Sequence, residues 1–156
     1  MFRSARPDLA EAGGTLLYQY GVGLAYLGTV RPDGGPRLHS ICPVLTDEEL
    51  HAFIVPSPKL RDLVRDGRFA LHSFATETNE DAFYVTGSAS RVEDAVVRSR
   101  LEEQFRDERP DLALSDLHDQ GLFRFLIEVV LLTRTTGHGD PHPRHEVWRA
   151  RSMSPS

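Results

Sequence analysis

Lys59 is the only lysine in a chain whose other basic residues are arginines and histidines. It stands in the stretch IVPSPKLRDLVRDGRFAL, residues 54–71. Ser57 suits the N-cap of a helix over 57–66, because its hydroxyl can accept from an orphan backbone N–H. Pro58 suits the first helical position, where a missing N–H costs nothing. Lys59 then falls in the first turn, beside the positive end of the helix dipole. A cation there is unfavourable unless an anion sits with it. Free N–H groups and an ammonium together favour a phosphate. The competing reading is a solvated lysine turned away from the helix end.

Three further groups could carry chemistry. His138, His142 and His145 accompany Asp140 in GHGDPHPRH, a mix of ligand types that suits a metal. Glycine and proline make that segment a loop, and no second ligand cluster with standard spacing exists, so no metal site is expected. Cys42 is expected as core filler, since a reactive thiol needs an electropositive, accessible setting. Trp148 reads first as a core or interface anchor.

The elements that must position these residues follow from pattern. A helix is expected over 8–20, with Asp8 as N-cap. Strands are expected at VGLAYLGTV (22–30) and RLHSICPVL (37–45), joined by a hairpin turn at Asp33-Gly34. Further strands are LHAFIV (50–55), RFALHSFA (68–75), AFYVTGSASRV (82–92), LFRFLIEVVLLTRTT (122–136) and HEVWRA (145–150). Gly87 marks a bulge or a close backbone approach. EDAVVRSRLEEQFRD (93–107) reads as a helix with Val96, Val97, Leu101 and Phe105 near one face. SDLHDQG (115–121) reads as a short helical turn. About seven strands in hairpin-like succession suit a small antiparallel barrel with peripheral helices.

The composition agrees with one domain. The chain has 156 residues, of which 40% are hydrophobic, enough for a single core. A net charge of −5 speaks against a broad basic face for nucleic acid. One cysteine allows neither an intrachain disulfide nor a multi-cysteine zinc site. No apolar run approaches the ~18 residues of a membrane helix. The first residues lack the apolar core of a signal peptide, so a cytoplasmic location is expected.

Three motifs in order carry a resemblance: LGTVRPDGGP, SPKLRDLVRDGRFAL and TGSASRVED. Together they resemble the pyridoxamine 5′-phosphate oxidase-like superfamily of FMN-binding split barrels, from about Leu24 to Asp94 and more loosely to the C-terminal VWR. The resemblance implies a six-stranded split barrel and a homodimer with flavin at the subunit interface; with the strand pattern, a six- to seven-stranded antiparallel split β-barrel over 22–151 is expected, with a loose tail over 152–156. Carried over residue by residue, it implies that Ser57 and Lys59 hold the flavin phosphate. It implies that His39, Ser40 and Ile41 line the ribityl chain and ring, and that Phe53 and Val55 lie beside the ring. Trp148 and Arg149 resemble the aromatic and basic pair that a partner subunit offers. FMN and a small organic substrate are the implied cofactor and partner. The same barrel occurs in a deazaflavin-using branch, which makes coenzyme F-420 the alternative. A non-catalytic flavin-binding stress or sensor protein, and a barrel whose flavin site has decayed, are further readings. Two departures limit the likeness. Histidine stands at 39 where arginine is frequent, and proline replaces an arginine in SPK. The longer C-terminal segment of a true pyridoxamine phosphate oxidase is missing, so vitamin B6 synthesis is not expected.

Overall fold

The computed structural model describes residues 1–47, 49–111 and 117–152. Eight strands form one antiparallel sheet: β1 (Ala25–Val30), β2 (Pro36–Ile41), β3 (Pro43–Leu45), β4 (Leu50–Ile54), β5 (Arg68–Ser73), β6 (Ala82–Arg91), β7 (Gly121–Arg134) and β8 (Arg144–Arg149). Their order is β2-β1-β5-β6-β7-β4-β3, with β8 paired to β7. β2 and β3 are thus opposite edges, although only Cys42 separates them. The chain itself bridges the two edges, and the sheet curls into a split barrel.

The expected single strand at 37–45 is therefore two strands in different ladders. Residues 36–41 pair with β1, and 43–45 pair with β4. Pro43 cannot donate to a ladder, and it opens the second strand. The hairpin before them is as expected. Gly34 has φ +85°, a left-handed conformation that glycine adopts without strain, and Asp33 accepts from the Gly35 N–H at 2.9 Å.

Four helices surround the sheet: α1 (Phe2–Ala5), α2 (Pro7–Leu17), α3 (Pro58–Arg65) and α4 (Ala95–Glu108). α2 begins one residue before the expected cap and stops short of 20. Pro7 takes the first position, and the Asp8 carboxylate pairs with Arg6 at 2.7 Å instead of capping. α4 buries Leu101 and Phe105 but leaves Val96 79% exposed, so Val96 is off the packed face. Of the expected turn at 115–121, Leu117–Asp119 form a 3-10 turn, and 115–116 lie outside the described residues. So do 153–156 of the tail.

Burial follows the strand alternation. Leu27, Leu71, Val85, Phe125 and Val130 fill the barrel. A second core of Val44, Phe53, Leu101, Phe105 and Leu122 lies under α4. β4 is buried along its whole length, which explains why LHAFI shows no polar alternation. Gly87 sits where the β6–β7 register shifts, as expected for a bulge. A Cβ there would stand 1.9 Å from the Leu126 carbonyl oxygen, so only glycine permits this approach.

Candidate functional site

α3 starts as its sequence requires. Ser57 is the N-cap in extended conformation, and its hydroxyl accepts from the Leu60 N–H at 3.3 Å and donates to the Val55 carbonyl at 2.7 Å. Pro58 occupies the first helical position, and no acid stands in the first turn. Lys59 is half-buried and has no carboxylate partner among the described residues.

A buried carboxylate fixes this helix to the sheet. Asp62 is 2% exposed. It accepts from Arg37 Nε at 2.6 Å, Thr29 Oγ1 at 2.9 Å and Arg65 at 3.2 Å. Burial pushes its carboxyl up, but the hydrogen bonds from Arg37, Thr29 and Arg65 together outweigh burial and hold it below the usual carboxylate range. Arg65 also donates to the Val30 carbonyl, beside the β1–β2 turn. Sequence reading missed Arg37 and Asp62. The only available signal was that Arg37 alternates with His39 and Ile41 on one side of β2.

The Arg37–Asp62 pair orients everything else. From Asp62 the helix runs back three residues, about 4.5 Å, to Lys59. From Arg37 the strand runs two residues, about 7 Å, to His39 on the same side of the sheet. Both steps lead away from the hairpin turn. His39 on β2 and Ser57 and Lys59 on α3 therefore lie on the side of the Arg37–Asp62 pair away from the hairpin turn, and among the described residues no hydrogen bond or ion pair joins His39 to the start of α3.

The other expected site residues separate from these. Ser40 is exposed on the outer face, opposite Tyr26. Val55 is exposed on the link into α3. Ile41 belongs to the barrel core. Phe53 packs edge-on against Phe105 at 5.7 Å, beneath α4, so its ring is already covered. Trp148 turns onto Phe2, with ring centroids 5.2 Å apart. Together with Arg149 it lines a different cavity, at the start of β4. Cys42 is half-buried against the second core. The histidine loop is held by hydrogen bonds within itself and to the segment before β6, where His138 Nε2 lies 3.0 Å from the Glu77 carbonyl oxygen and the Gly139 N–H donates to Glu80 at 3.2 Å. Asp140 accepts from the Thr136 and His142 N–H groups, each at 2.8 Å. No cluster of three metal-ligating side chains occurs among the described residues.

Solved structures with the same arrangement include a candidate pyridoxamine 5′-phosphate oxidase from Listeria innocua. It matches with a TM-score of 0.65 and 17% identity over 80% of this chain and 98% of that one. The fold is that of the pyridoxamine 5′-phosphate oxidase-like split barrels. An F420 reductase is similar at a TM-score of 0.57 and 19% identity, over 69% of this chain and 87% of its own. The heme storage protein HutZ from Vibrio cholerae is similar at 0.55 and 20%, over 78% and 92%. At these identities the likeness extends to the fold. No family model and no curated protein matches the chain. No helix of this split barrel, among the described residues, is long and apolar enough to cross a membrane.

Proposed function

We propose that the chain is a flavin-binding oxidoreductase that takes FMN and acts on a small organic molecule. The carrying observation is the start of α3, where a serine cap, an acid-free first turn and an unpaired lysine meet. These donors fit a phosphate. Lys59 supplies a compact charge, the first-turn N–H groups supply directed hydrogen bonds, and His39 lies at the same end of β2. Flavin, when bound, supplies the hydride and electron chemistry, and the protein positions it. Asp62 serves this by holding α3 against β1 and β2, so that Lys59 is placed before the ligand arrives. The reading rests on β2 and α3, and it leaves Trp148 and Arg149 to the cavity at the start of β4.

A second copy of the chain fits the outer face of the sheet. Ser40, Tyr26, His72, Tyr84, Leu131 and Val147 follow one another across five neighbouring pairings. Tyr26 is 40% exposed on this face, and in the adjoining row Leu38 is 68% exposed. Such apolar exposure suits a covered interface, and it agrees with a flavin groove shared between two subunits. The likeness to an F420 reductase makes coenzyme F-420 the second ligand to test, and the likeness to HutZ makes heme the third.

Titration of the purified protein with FMN, F-420 and heme, followed by absorbance, tests the reading. Lys59→Ala removes one charge-assisted contact and should weaken FMN binding by about 1.5–3 kcal/mol, roughly ten- to hundredfold. Unchanged FMN affinity in that variant overturns the phosphate role, and binding of heme alone overturns the flavin reading.

A further inference from the structure

β7 is paired with β6 from Phe123 to Thr133, with a bulge at Gly87, but its other side is shared. Residues 121–125 pair with β4, and 129–134 pair with β8. Between them the sheet forks. A cavity of about 1120 Å³ opens at this fork, bounded by α1, the start of β4, the middle of β7 and the end of β8. Phe2, Leu50, Phe125, Ile127 and Trp148 give it an apolar lining. Leu126, also in the lining, is 51% exposed.

The charges around it are one-sided. Five arginines, at 3, 6, 124, 149 and 151, face two glutamates, Glu49 and Glu128. This contrasts with the chain's net charge of −5. Three of the arginines are engaged. Arg6 pairs with Asp8 and Glu146, Arg124 lies 3.4 Å from Glu49, and Arg3 donates to the Thr46 carbonyl. Arg149 and Arg151 have no anionic partner among the described residues.

We infer that the fork cavity binds an amphipathic organic anion, with its apolar body on Leu126, Ile127 and Trp148 and its carboxylate or phosphate on Arg149 and Arg151. Guanidinium groups match planar or tetrahedral oxyanions with paired donors, and a large apolar pocket with a few convergent polar groups is the usual form of a small-molecule site. The cavity is separate from the α3 site. The two lie at opposite ends of β4, whose five residues span about 13 Å.

Trp148 is the only tryptophan, and it lies in the cavity wall, so its emission reports occupancy directly. The full chain is titrated with decanoate, decyl phosphate and the neutral decyl glucoside. Saturable change with one or both anions, and weaker binding of the neutral amphiphile, are expected; the two anions show which head group is preferred. Arg149→Ala with Arg151→Ala should weaken the anions about tenfold or more, while Lys59→Ala leaves them unchanged. Equal binding of the neutral amphiphile, no response to either anion, or anion affinity unaltered in the double variant overturns the inference. So does a Trp148 emission that depends on protein concentration and that the anions do not displace, since a second copy then fills the fork. FMN is itself an amphipathic anion, and the variants separate the sites. FMN held at α3 is lost with Lys59→Ala, and decanoate held at the fork is lost with the arginine pair.

Discussion

Removal of the Asp62 carboxylate tests the link between barrel stability and the α3 site. Asp62→Ala strips a 2% exposed carboxylate from three donors. It leaves Arg37, whose side chain is 25% exposed, without its counter-charge. Breaking a buried ion pair by deleting one partner costs about 3–5 kcal/mol. Here Arg37 and Arg65 retain some solvent access, so the lower end, about 3 kcal/mol, applies. For a domain of this length that is a fall in Tm of roughly 6–12 °C. Urea denaturation of the single variant, of Arg37→Leu and of the double variant Arg37→Leu with Asp62→Leu completes the test. The double replacement substitutes an apolar contact for a desolvated charge pair, and it should recover part of the loss. FMN affinity should fall in Asp62→Ala as α3 loosens. A loss below about 1 kcal/mol in Asp62→Ala, the level of an exposed pair, refutes the claim that this carboxylate anchors α3.

Two other perturbations are direct. Gly87→Ala forces a methyl against the Leu126 carbonyl at the bulge; it should cost about 3 kcal/mol, the upper end for overpacking, and a thermal melt with the wild-type value refutes the close approach. His51 is 2% exposed; neither ring nitrogen makes a hydrogen bond among the described residues, and Nε2 lies 3.3 Å from a Glu49 carboxylate oxygen, whose charge offsets only part of the cost of burial. Burial pushes its imidazole pKa down, so the unfolded chain takes up the proton first. Its share of stability is complete above the ordinary imidazole value of about 6.5, and it is lost as pH falls through the lower folded value. His51→Leu should therefore flatten the decline in Tm between about pH 7 and 5, and an unchanged slope counts against it.

Local chemistry made parts of this protein readable and left others hidden. The Asp33-Gly34 turn, the Ser57 cap and the bulge at Gly87 are each determined within a few residues, and the structure has all three. The break at Cys42 had a local sign, Pro43. Yet the apolar run around it reads as one strand, because the change of partner depends on strands far away in sequence. Arg37 and Asp62 are 25 residues apart, and each alone reads as a solvated charge. The placement of Phe53 was hidden for a related reason. β4 is buried on both faces, so alternation cannot say whether a side chain meets the barrel or α4. The fork was hidden entirely, because it arises from two strands dividing one side of β7.

The two candidate sites follow from how the hydrogen-bond ladder ends. β4 is paired on both sides and covered on both faces, so its interior side chains have no surface to offer a ligand. Only its ends can. At one end the chain leaves the sheet, turns at Ser57 and presents the unsatisfied N–H groups of α3. At the other, the side of β7 beyond Leu50 passes to β8, and the gap opens a cavity. Breaks in the ladder are where backbone donors and apolar side chains lose their partners within the fold. In this barrel, cations stand at both breaks. Lys59 attends the helix start, and Arg149 and Arg151 attend the fork. A chain with net charge −5 repels anions at long range, so an anion is held only where local donors outweigh the overall field. Anion binding at either site should then tighten or hold steady as salt screens the net charge, until screening reaches the short contacts themselves. A steep loss of affinity from the lowest salt upward would mean that a broader basic surface captures the anion, and not these two clusters.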